Sequence, residues 1–566
     1  MHSRSTDQEM QLFSQIDRAA PSLFASRHDG HGTDSEREWN GSCKINNGFS
    51  PIRMASPEER NMRIESFSRR IAKNLLWNIT GQGWLLLLTF LATPFLIRRL
   101  GVELYGIYIL VAILVDYCSF AQFGIVDASV KYVTERRARG EQRGVQETFW
   151  TAMLSQAVIG FAGAMTILSL TDLLVGHVFR VPEGLVREAR FAITMGAMSF
   201  SLSMVTSVTT GALRAVGRFD LINIAGILWG TLQTGAAVAL LWLGQSLSAI
   251  LFSNLCVQLL SLVMLGTFAR RLLPVTMPPA WSTAEMKRLL RFGGFLTVSG
   301  VAGPILTNIE KMILSAIHTV SALTYYHVPF SLINRLAVIP SSFSSVLFPA
   351  YSYFQGKQDM EANRSLHRRS TLYLLYLFGA PLLFCIFFGH TFLAWWVGSD
   401  FAEASTVILM ILSGAGLVNA LAYPSITLLN GMGRPHIPAA FHVIETLIYI
   451  PVCYCLILTH GLAGAASAWF FRVFLDMLLL HAASCRCLGQ SLLKWYLDLL
   501  SRGLPYLLVC GFTLWGFREL RIEGHPSAHV IGCCLVAAFY GYTFWMKILD
   551  AKARDSILGQ AKGVGG

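Results

Sequence analysis

The sequence predicts an all-α polytopic membrane protein with about fourteen transmembrane helices. Of its 566 residues, 54% are apolar and only 14% are charged, whereas soluble domains average about 25% charged residues. Apolar residues recur in runs of about 20, the length at which a helix crosses the hydrocarbon core of a bilayer. The loops between these runs reach about 25 residues at most, too short for a folded domain of at least about 50. Function is therefore expected among the helices and in short loops.

The chain begins with a polar segment, residues 1–70, that has no periodic apolar pattern. Its composition buries too little apolar area to offset the entropy lost on ordering, and it lacks the apolar stretch of a signal peptide. We expect a disordered cytoplasmic extension without a function of its own. An over-extended gene start, with translation beginning at Met54 or Met62, is the alternative.

The predicted spans form two six-helix bundles and two further helices. The bundles cover residues 71–270 and 292–483, with a basic cytoplasmic connector at 271–291 between them. The extra helices lie in 484–549, and a cytoplasmic tail covers 550–566. The spans are 74–97, 105–127, 148–171, 191–213, 221–243, 247–269, 292–314, 322–347, 372–393, 404–429, 437–458, 461–483, 502–519 and 528–549.

The distribution of basic residues predicts that both termini are cytoplasmic. With the N-terminus inside, the inner segments hold about 30 Lys and Arg residues and the outer loops about six. Arg98 and Arg99 are the main exceptions, because they fall at the outer end of the first span.

A short motif recurs in the two halves. Gly217-Arg218 follows the fourth span, and Gly433-Arg434 follows the tenth. Six spans separate the two motifs, so the halves have the same orientation, as in parallel repeats related by an axis along the membrane normal. We interpret Arg218 and Arg434 as residues of tight cytoplasmic turns, with a direct role in gating as the alternative.

Ionisable residues inside spans are functional candidates, because hydrocarbon makes an idle charge costly. Asp116 lies in the middle of the second span and Arg335 in the middle of the eighth. The offset between the two Gly-Arg motifs carries Asp116 to a position close to Arg335, so the halves are predicted to place opposite charges at similar depths of equivalent helices. Pro329 and Pro340 bracket Arg335, and we expect its helix to bend there, with the guanidinium facing a water-filled cavity.

Other spans carry further charges. Arg472 and Asp476 stand at i and i+4 of the twelfth span, where they could pair with each other. Glu445 and His442 lie near one face of the eleventh span. Glu310 and Lys311 lie near the outer end of the seventh, where we expect them to extend to the interface.

Several function classes are disfavoured. The net charge of +12 comes from short clusters between apolar runs, which argues against nucleic-acid binding. The eleven cysteines show no zinc-ligand spacing, so no metal site is predicted. No pair of acidic residues of the Asp-x-Asp type lies in a long outer loop, which disfavours a membrane glycosyltransferase, polymerase or ligase. We predict no catalytic residues and no cofactor.

Four stretches resemble one family. They are "NLLWNITGQGWLLLLTFLATPFLIRRLGVELYGIYILV", "FGIVDASVKYVTE", "GALRAVGRFDLIN" and "LLNGMGRP". In order and spacing they are similar to polysaccharide-export proteins of the Wzx type, of the multidrug/oligosaccharidyl-lipid/polysaccharide exporter superfamily. The resemblance covers about residues 70–490. Lipid II flippases and multidrug exporters of that superfamily are the alternatives, although residues 78–95 lack the arginine that lipid II flippases carry in the first helix.

The resemblance implies a flippase of the bacterial inner membrane that moves an undecaprenyl-pyrophosphate-linked oligosaccharide outward by alternating access. It implies a cationic cavity, for which Arg335 and then Arg472 are the expected contacts of the pyrophosphate. Asp116, Glu445 and Asp476 are then candidates for carrying a coupling proton or sodium ion, or for balancing the arginines. Membrane lipids are expected partners, and other polysaccharide-assembly proteins fit the same role. We expect a monomer.

Overall fold

The computed structural model describes residues 81, 83–118, 122, 124–273, 279–519, 538 and 540–542, and the side chains of all these except 118, 295–305, 380 and 517–519. Over this part the chain is helical and contains no strand. Ten of the described helices are long and apolar enough to cross a membrane. The predicted fold class, an all-α polytopic membrane protein, is confirmed.

Helices α1 to α7 form the first half of the described chain. A short helix at Thr171–Leu173, a π-helical turn at Leu174–Val178 and a 3-10 turn at Glu183–Leu185 connect α4 to α5. The helices are α1, Gly83–Leu100; α2, Val102–Cys118; α3, Ile125–Ala138; α4, Gln142–Ser169; α5, Val186–Ala215; α6, Phe219–Trp242; and α7, Leu247–Leu272.

Helices α8 to α14 form the second half. The helix α13 is bent at Gly461, where the backbone leaves the helical region, so it consists of two arms that correspond to the eleventh and twelfth predicted spans. The helices are α8, Thr283–Ile317; α9, Val320–Arg335; α10, Val338–Gly356; α11, Met360–Trp396; α12, Ser399–Gly431; α13, His436–Cys487; and α14, Leu492–Glu519.

Each of the first thirteen predicted spans overlaps described helices. Of the fourteenth span, 528–549, the structure describes only residues 538 and 540–542. The predicted extension 1–70 lies entirely outside the described residues. Two spans are each divided into two helices: the second becomes α2 and α3, and the eighth becomes α9 and α10.

The turns repeat at the spacing that the Gly-Arg motif predicts. Gly217 and Gly433 both have positive φ angles, 79° and 74°, which glycine adopts without steric cost. Their hydrogen bonds also match, because the backbone N–H of each following arginine donates to the carbonyl five positions before it: Arg218 N to Leu213 O, and Arg434 N to Leu429 O. The same geometry also ends helices at Gly140, Gly244 and Gly489, so the repeat itself rests on the Gly-Arg sequence and its placement.

Two regions join the halves. The helix α9 packs against α2, and Thr324 Oγ1 donates a 2.8 Å hydrogen bond to Val102 O between them. The long helix α8 contacts α2, α3 and α4 of the first half as well as α9 and α13 of the second. Near its start, Glu285 accepts a hydrogen bond from the buried Arg136 of α3. The helix after the connector is therefore anchored in both halves.

The C-terminal end of α11, on the side predicted to be outside, also lies against α1, between the middle of that helix and its C-terminal end. Trp396 Nε1 donates to Phe90 O at 3.1 Å, and the two aromatic rings stack 4.8 Å apart. Arg98 Nε donates to Val397 O at 3.0 Å, and its Nη2 donates to the carbonyl of Trp396 at 3.3 Å. A guanidinium near the last carbonyls of a helix also interacts favourably with the helix dipole. The exceptional position of Arg98 therefore has a structural reason.

Candidate functional site

Arg335 stands where a predicted membrane helix is interrupted. It is the last residue of α9, and α10 begins shortly afterwards at Val338, with Pro340 in its first turn. The guanidinium is close enough to the hydroxyl of Tyr105 on α2 to interact with it electrostatically. Within the described part of the chain it forms no ion pair and no hydrogen bond. Arg335 is therefore a half-buried cation at the junction of the two halves without an anionic partner.

Asp116 contacts the second half through a residue of α8. Its carboxylate, which is exposed, accepts a 2.6 Å hydrogen bond from Asn308 Nδ2 of α8. The other side-chain atom of this amide, Asn308 Oδ1, accepts a 2.7 Å hydrogen bond from Lys311 Nζ. Asp116 is thus linked to a lysine of the second half through one amide, and Arg335 takes no part in this link.

Glu310 and Lys311 do not extend to the interface, and that expectation is wrong. Their side chains are 0% and 3% exposed, and Glu310 Oε1 lies 3.8 Å from Lys311 Nζ. Tyr449 donates to Glu310 Oε2 at 3.0 Å and Tyr326 donates to Oε1 at 3.4 Å. The pair faces α9 and α13 because α8 presents this side to the second half.

A second group of ionisable residues lies between the two arms of α13. One ligand atom each from His442, Glu445 and Asp476 lies within 4.8 Å of the others, an arrangement that suits a cation. The Nε2 of His442 is 3.9 Å from Asp476 Oδ1. Neither oxygen of the buried Glu445 carboxylate has a hydrogen-bond donor among the described residues. The sequence predicted no metal ligands, because these three residues come together only when the arms pack.

Arg472 connects the two groups. It interacts electrostatically with Glu310, and also with Glu445 and Asp476. Its guanidinium lies 5.8 Å from the centre of the Tyr449 ring. The i, i+4 spacing suggested that Arg472 pairs with Asp476. The two side chains form no ion pair within 4 Å, because Asp476 turns toward His442.

Together these side chains form a continuous series, which we call the charge chain. It runs from α2 of the first half through α8 to both arms of α13, so it crosses from one half to the other. Buried charges persist only when other groups compensate them, and Glu310 and Lys311 are compensated by each other and by their neighbours in the series. Its members are Asp116, Asn308, Lys311, Glu310, Tyr449, Arg472, Glu445, Asp476 and His442.

The two Gly-Arg turns differ in their side chains. Arg218 forms a bidentate pair with Asp220, with distances of 2.9 Å from Nε to Oδ1 and from Nη2 to Oδ2. Arg434 has no carboxylate partner within the described residues, and its Nη1 lies 3.0 Å from Cys487 Sγ. A role in the turn suits Arg218, whereas the side chain of Arg434 is available for another partner.

Sequence reasoning missed Asn308, Tyr326 and Tyr449 as members of the site. A lone amide and two tyrosines in apolar helices give no local signal. The adjacent Glu310 and Lys311 were a usable signal, because two opposite charges in one apolar run imply mutual compensation as readily as exposure at the interface.

The sequence is similar to a known family and to individual proteins of bacteria and archaea. A family model described as "Polysaccharide biosynthesis protein" matches residues 95–411. A putative O-antigen transporter of Shigella flexneri is 24% identical over 412 residues, which cover 73% of this chain and 97% of the transporter. A probable low-salt glycan biosynthesis flippase of Haloferax volcanii is 23% identical over 405 residues, covering 71% of this chain and 80% of the flippase. These two relatives are named as a transporter and a flippase.

Solved structures share the fold. The lipid II flippase MurJ in an inward closed conformation aligns with a TM-score of 0.64 at 11% identity, covering 84% of this chain and 99% of MurJ. A multidrug resistance MATE family transporter of the MOP superfamily in an inward-facing conformation aligns with a TM-score of 0.56 at 14% identity, covering 74% of this chain and 99% of the transporter. These likenesses concern the fold alone.

Proposed function

The chain belongs to the polysaccharide biosynthesis protein family, and on that premise we propose that it flips a lipid-linked oligosaccharide across the inner membrane for the assembly of a surface polysaccharide. The lipid carrier that we propose is undecaprenyl pyrophosphate, and the movement is from the cytoplasmic to the outer leaflet. Both termini are then cytoplasmic. The transporter and flippase names of the relatives support this function.

The observation that carries the proposal is the unpaired guanidinium of Arg335 at the break between α9 and α10. A buried or half-buried cation without a counter-ion is costly unless a ligand supplies the anion. A pyrophosphate suits this position because arginine forms bidentate, charge-assisted hydrogen bonds with phosphate oxygens. Arg335 also interacts electrostatically with Tyr105 of α2, so a headgroup bound at the break would lie close to the first half as well.

The charge chain supplies the coupling in this proposal. A bound proton or sodium ion favours the conformation that binds it more tightly. It can shift the equilibrium between the two conformations only by the difference in its binding free energy for them. The group of His442, Glu445 and Asp476 is the candidate cation site. When this site gains or loses a cation, its change in charge acts on Arg472, which interacts electrostatically with Glu310. Lys311 and Asn308 then connect Glu310 to Asp116. Arg472 is thereby a coupling residue first and a substrate contact second.

The contact between α1 and α11 supports alternating access. In this conformation Arg98 and the stacked rings of Phe90 and Trp396 hold the two halves together on the side predicted to be outside. Release of a headgroup to that side requires these contacts to separate. A conformation that is closed on the opposite side would break these contacts. They therefore stabilise only the conformation in which the predicted outer side is closed.

The test is deletion of the gene followed by analysis of lipid-linked intermediates and of surface polysaccharide. The deletion strain should accumulate the complete lipid-linked oligosaccharide on the cytoplasmic side and lose the surface glycan, and the wild-type gene should restore it. Unchanged glycan together with increased sensitivity to toxic cations would instead favour a multidrug exporter of the same superfamily.

A further inference from the structure

A groove runs between the ends of the two α13 arms, on the side predicted to be cytoplasmic. Its volume is about 610 Å³. Ile437 and Phe441 of the first arm and Leu479 and Ala483 of the second form its apolar walls, and Arg434 and Arg486 belong to its lining as well. All of its lining residues belong to α13 or to the turn before it, and Arg335 is not among them.

The two arginines give this groove a positive end. Both are exposed, and neither forms an ion pair with a carboxylate of the described chain. Two arginines beside one apolar groove match the chemistry of an amphipathic anion, with a phosphate at the arginines and a hydrocarbon chain in the groove. Basic pockets between transmembrane helices on the cytoplasmic side bind such headgroups.

The repeat provides an independent argument. The turn that carries Arg218 neutralises it through Asp220, which follows it closely in the chain. The equivalent position in the second half holds His436. The backbone of the two turns is the same, with matching hydrogen bonds at Arg218 and Arg434. The second half therefore keeps the geometry of the turn and lacks the carboxylate, which leaves Arg434 without its anion.

We propose that this groove binds a phospholipid of the cytoplasmic leaflet, with its phosphate between Arg434 and Arg486 and one acyl chain along Phe441 and Leu479. Anionic phospholipids such as phosphatidylglycerol bind best, since each guanidinium adds charge-assisted hydrogen bonds and attraction to the headgroup. The lipid bridges the two arms of α13 and so stabilises the packing on which the group of His442, Glu445 and Asp476 depends. This site is independent of the proposed function.

The test measures phospholipid bound to the purified, delipidated protein by native mass spectrometry, together with its thermal unfolding in detergent. Phosphatidylglycerol should bind and raise the unfolding temperature more than phosphatidylcholine does. The double variant Arg434→Ala/Arg486→Ala should bind phosphatidylglycerol about tenfold more weakly or worse, as expected for the loss of two charged contacts. The matched control is Arg218→Ala, which removes the paired arginine of the equivalent turn and should retain wild-type binding.

A second measurement uses the unaltered protein. Cys487 lines the groove, whereas the exposed Cys256 lies on α7. Phosphatidylglycerol should slow the reaction of Cys487 with a maleimide, measured by peptide mapping, and leave the reaction of Cys256 unchanged. Equal rates with and without the lipid, or full binding by the double variant, would refute the site. Displacement of phosphatidylglycerol by undecaprenyl phosphate at lower concentration would assign the groove to the substrate carrier instead.

Discussion

The side-chain amide of Asn308 donates a 2.6 Å hydrogen bond to the carboxylate of Asp116 and accepts one of 2.7 Å from Lys311. These two bonds connect α2 in the first half to the buried Lys311 in the second, which is paired with Glu310. A rigid-body movement of one half against the other changes the distance between Asp116 and Asn308 first, because the remaining members of the charge chain lie on α8 and α13. The charge chain is therefore placed to sense the relative position of the halves.

Asn308→Leu should break the hydrogen-bonded link between Asp116 of the first half and Lys311 of the second. The substitution removes a donor to Asp116 and an acceptor from Lys311, and an unsatisfied buried polar group costs about 1–3 kcal/mol. We expect a lower unfolding temperature in detergent and loss of glycan export in a complemented deletion strain. Asn430→Leu, at an exposed position of α12, is the control and should leave both unchanged. Wild-type export by Asn308→Leu would show that the link to Asp116 is dispensable.

Glu310→Gln should destabilise the protein strongly, because it leaves the ammonium of Lys311 buried without its anion. Removal of one partner of a buried ion pair costs about 3–5 kcal/mol, whereas replacement of both by neutral groups is often tolerated. The double variant Glu310→Gln/Lys311→Met should therefore recover most of the unfolding temperature while export stays defective. Recovery of export in the double variant would mean that the pair serves folding alone.

Glu445→Gln and Asp476→Asn should remove the dependence of transport on an imposed ion gradient. Each replaces a carboxylate of the candidate cation site with a neutral amide of the same size, so a proton or sodium ion loses a ligand. The measurement is translocation in proteoliposomes under imposed proton and sodium gradients. Asp400→Asn, on the exposed first turn of α12, is the control. If both variants still respond to the gradients as the wild type does, coupling resides elsewhere.

Arg98→Ala should favour the conformation in which α1 and α11 separate. Arg98 donates to the carbonyls of Trp396 and Val397, and the variant loses these bonds. We expect faster labelling by a membrane-impermeant thiol reagent of a cysteine introduced at Ala394, a half-buried position near the end of α11. Arg99→Ala is the matched control, because the described contact of Arg99 is with Phe95 of its own helix. Equal labelling in the two variants would contradict a role of Arg98 in closing this side.

Much of the fold could be predicted from the sequence, because it follows from composition and spacing. The apolar runs locate the spans, and the Gly217-Arg218 and Gly433-Arg434 motifs predict two tight turns, at which both glycines have positive φ angles. The interruption beside Arg335 follows from Pro340, since proline removes a backbone donor and clashes with the preceding turn, whereas α9 continues through Pro329. These are local properties of the chain.

The connections within the site could not be predicted, since they depend on how each helix is rotated about its axis. Whether Glu310 faces the interface or the interior is decided by the packing of α8 on α13. Asp476 has Arg472 one turn away on its own helix but lies nearer to His442 on the other arm. The repeat argument placed Asp116 and Arg335 at similar depths along the membrane normal, but depth alone does not say which side chains face each other.

The central claim is tested most directly by translocation of a fluorescent undecaprenyl-pyrophosphate-linked oligosaccharide in proteoliposomes, measured as the fraction accessible to an external quencher over time. The wild-type protein and Arg218→Ala should translocate it. Arg335→Ala should reduce the rate by about a hundredfold, the loss expected when a contact of roughly 2–3 kcal/mol to a charged headgroup is removed. Absence of protein-dependent translocation, or translocation by Arg335→Ala at the wild-type rate, would contradict the account.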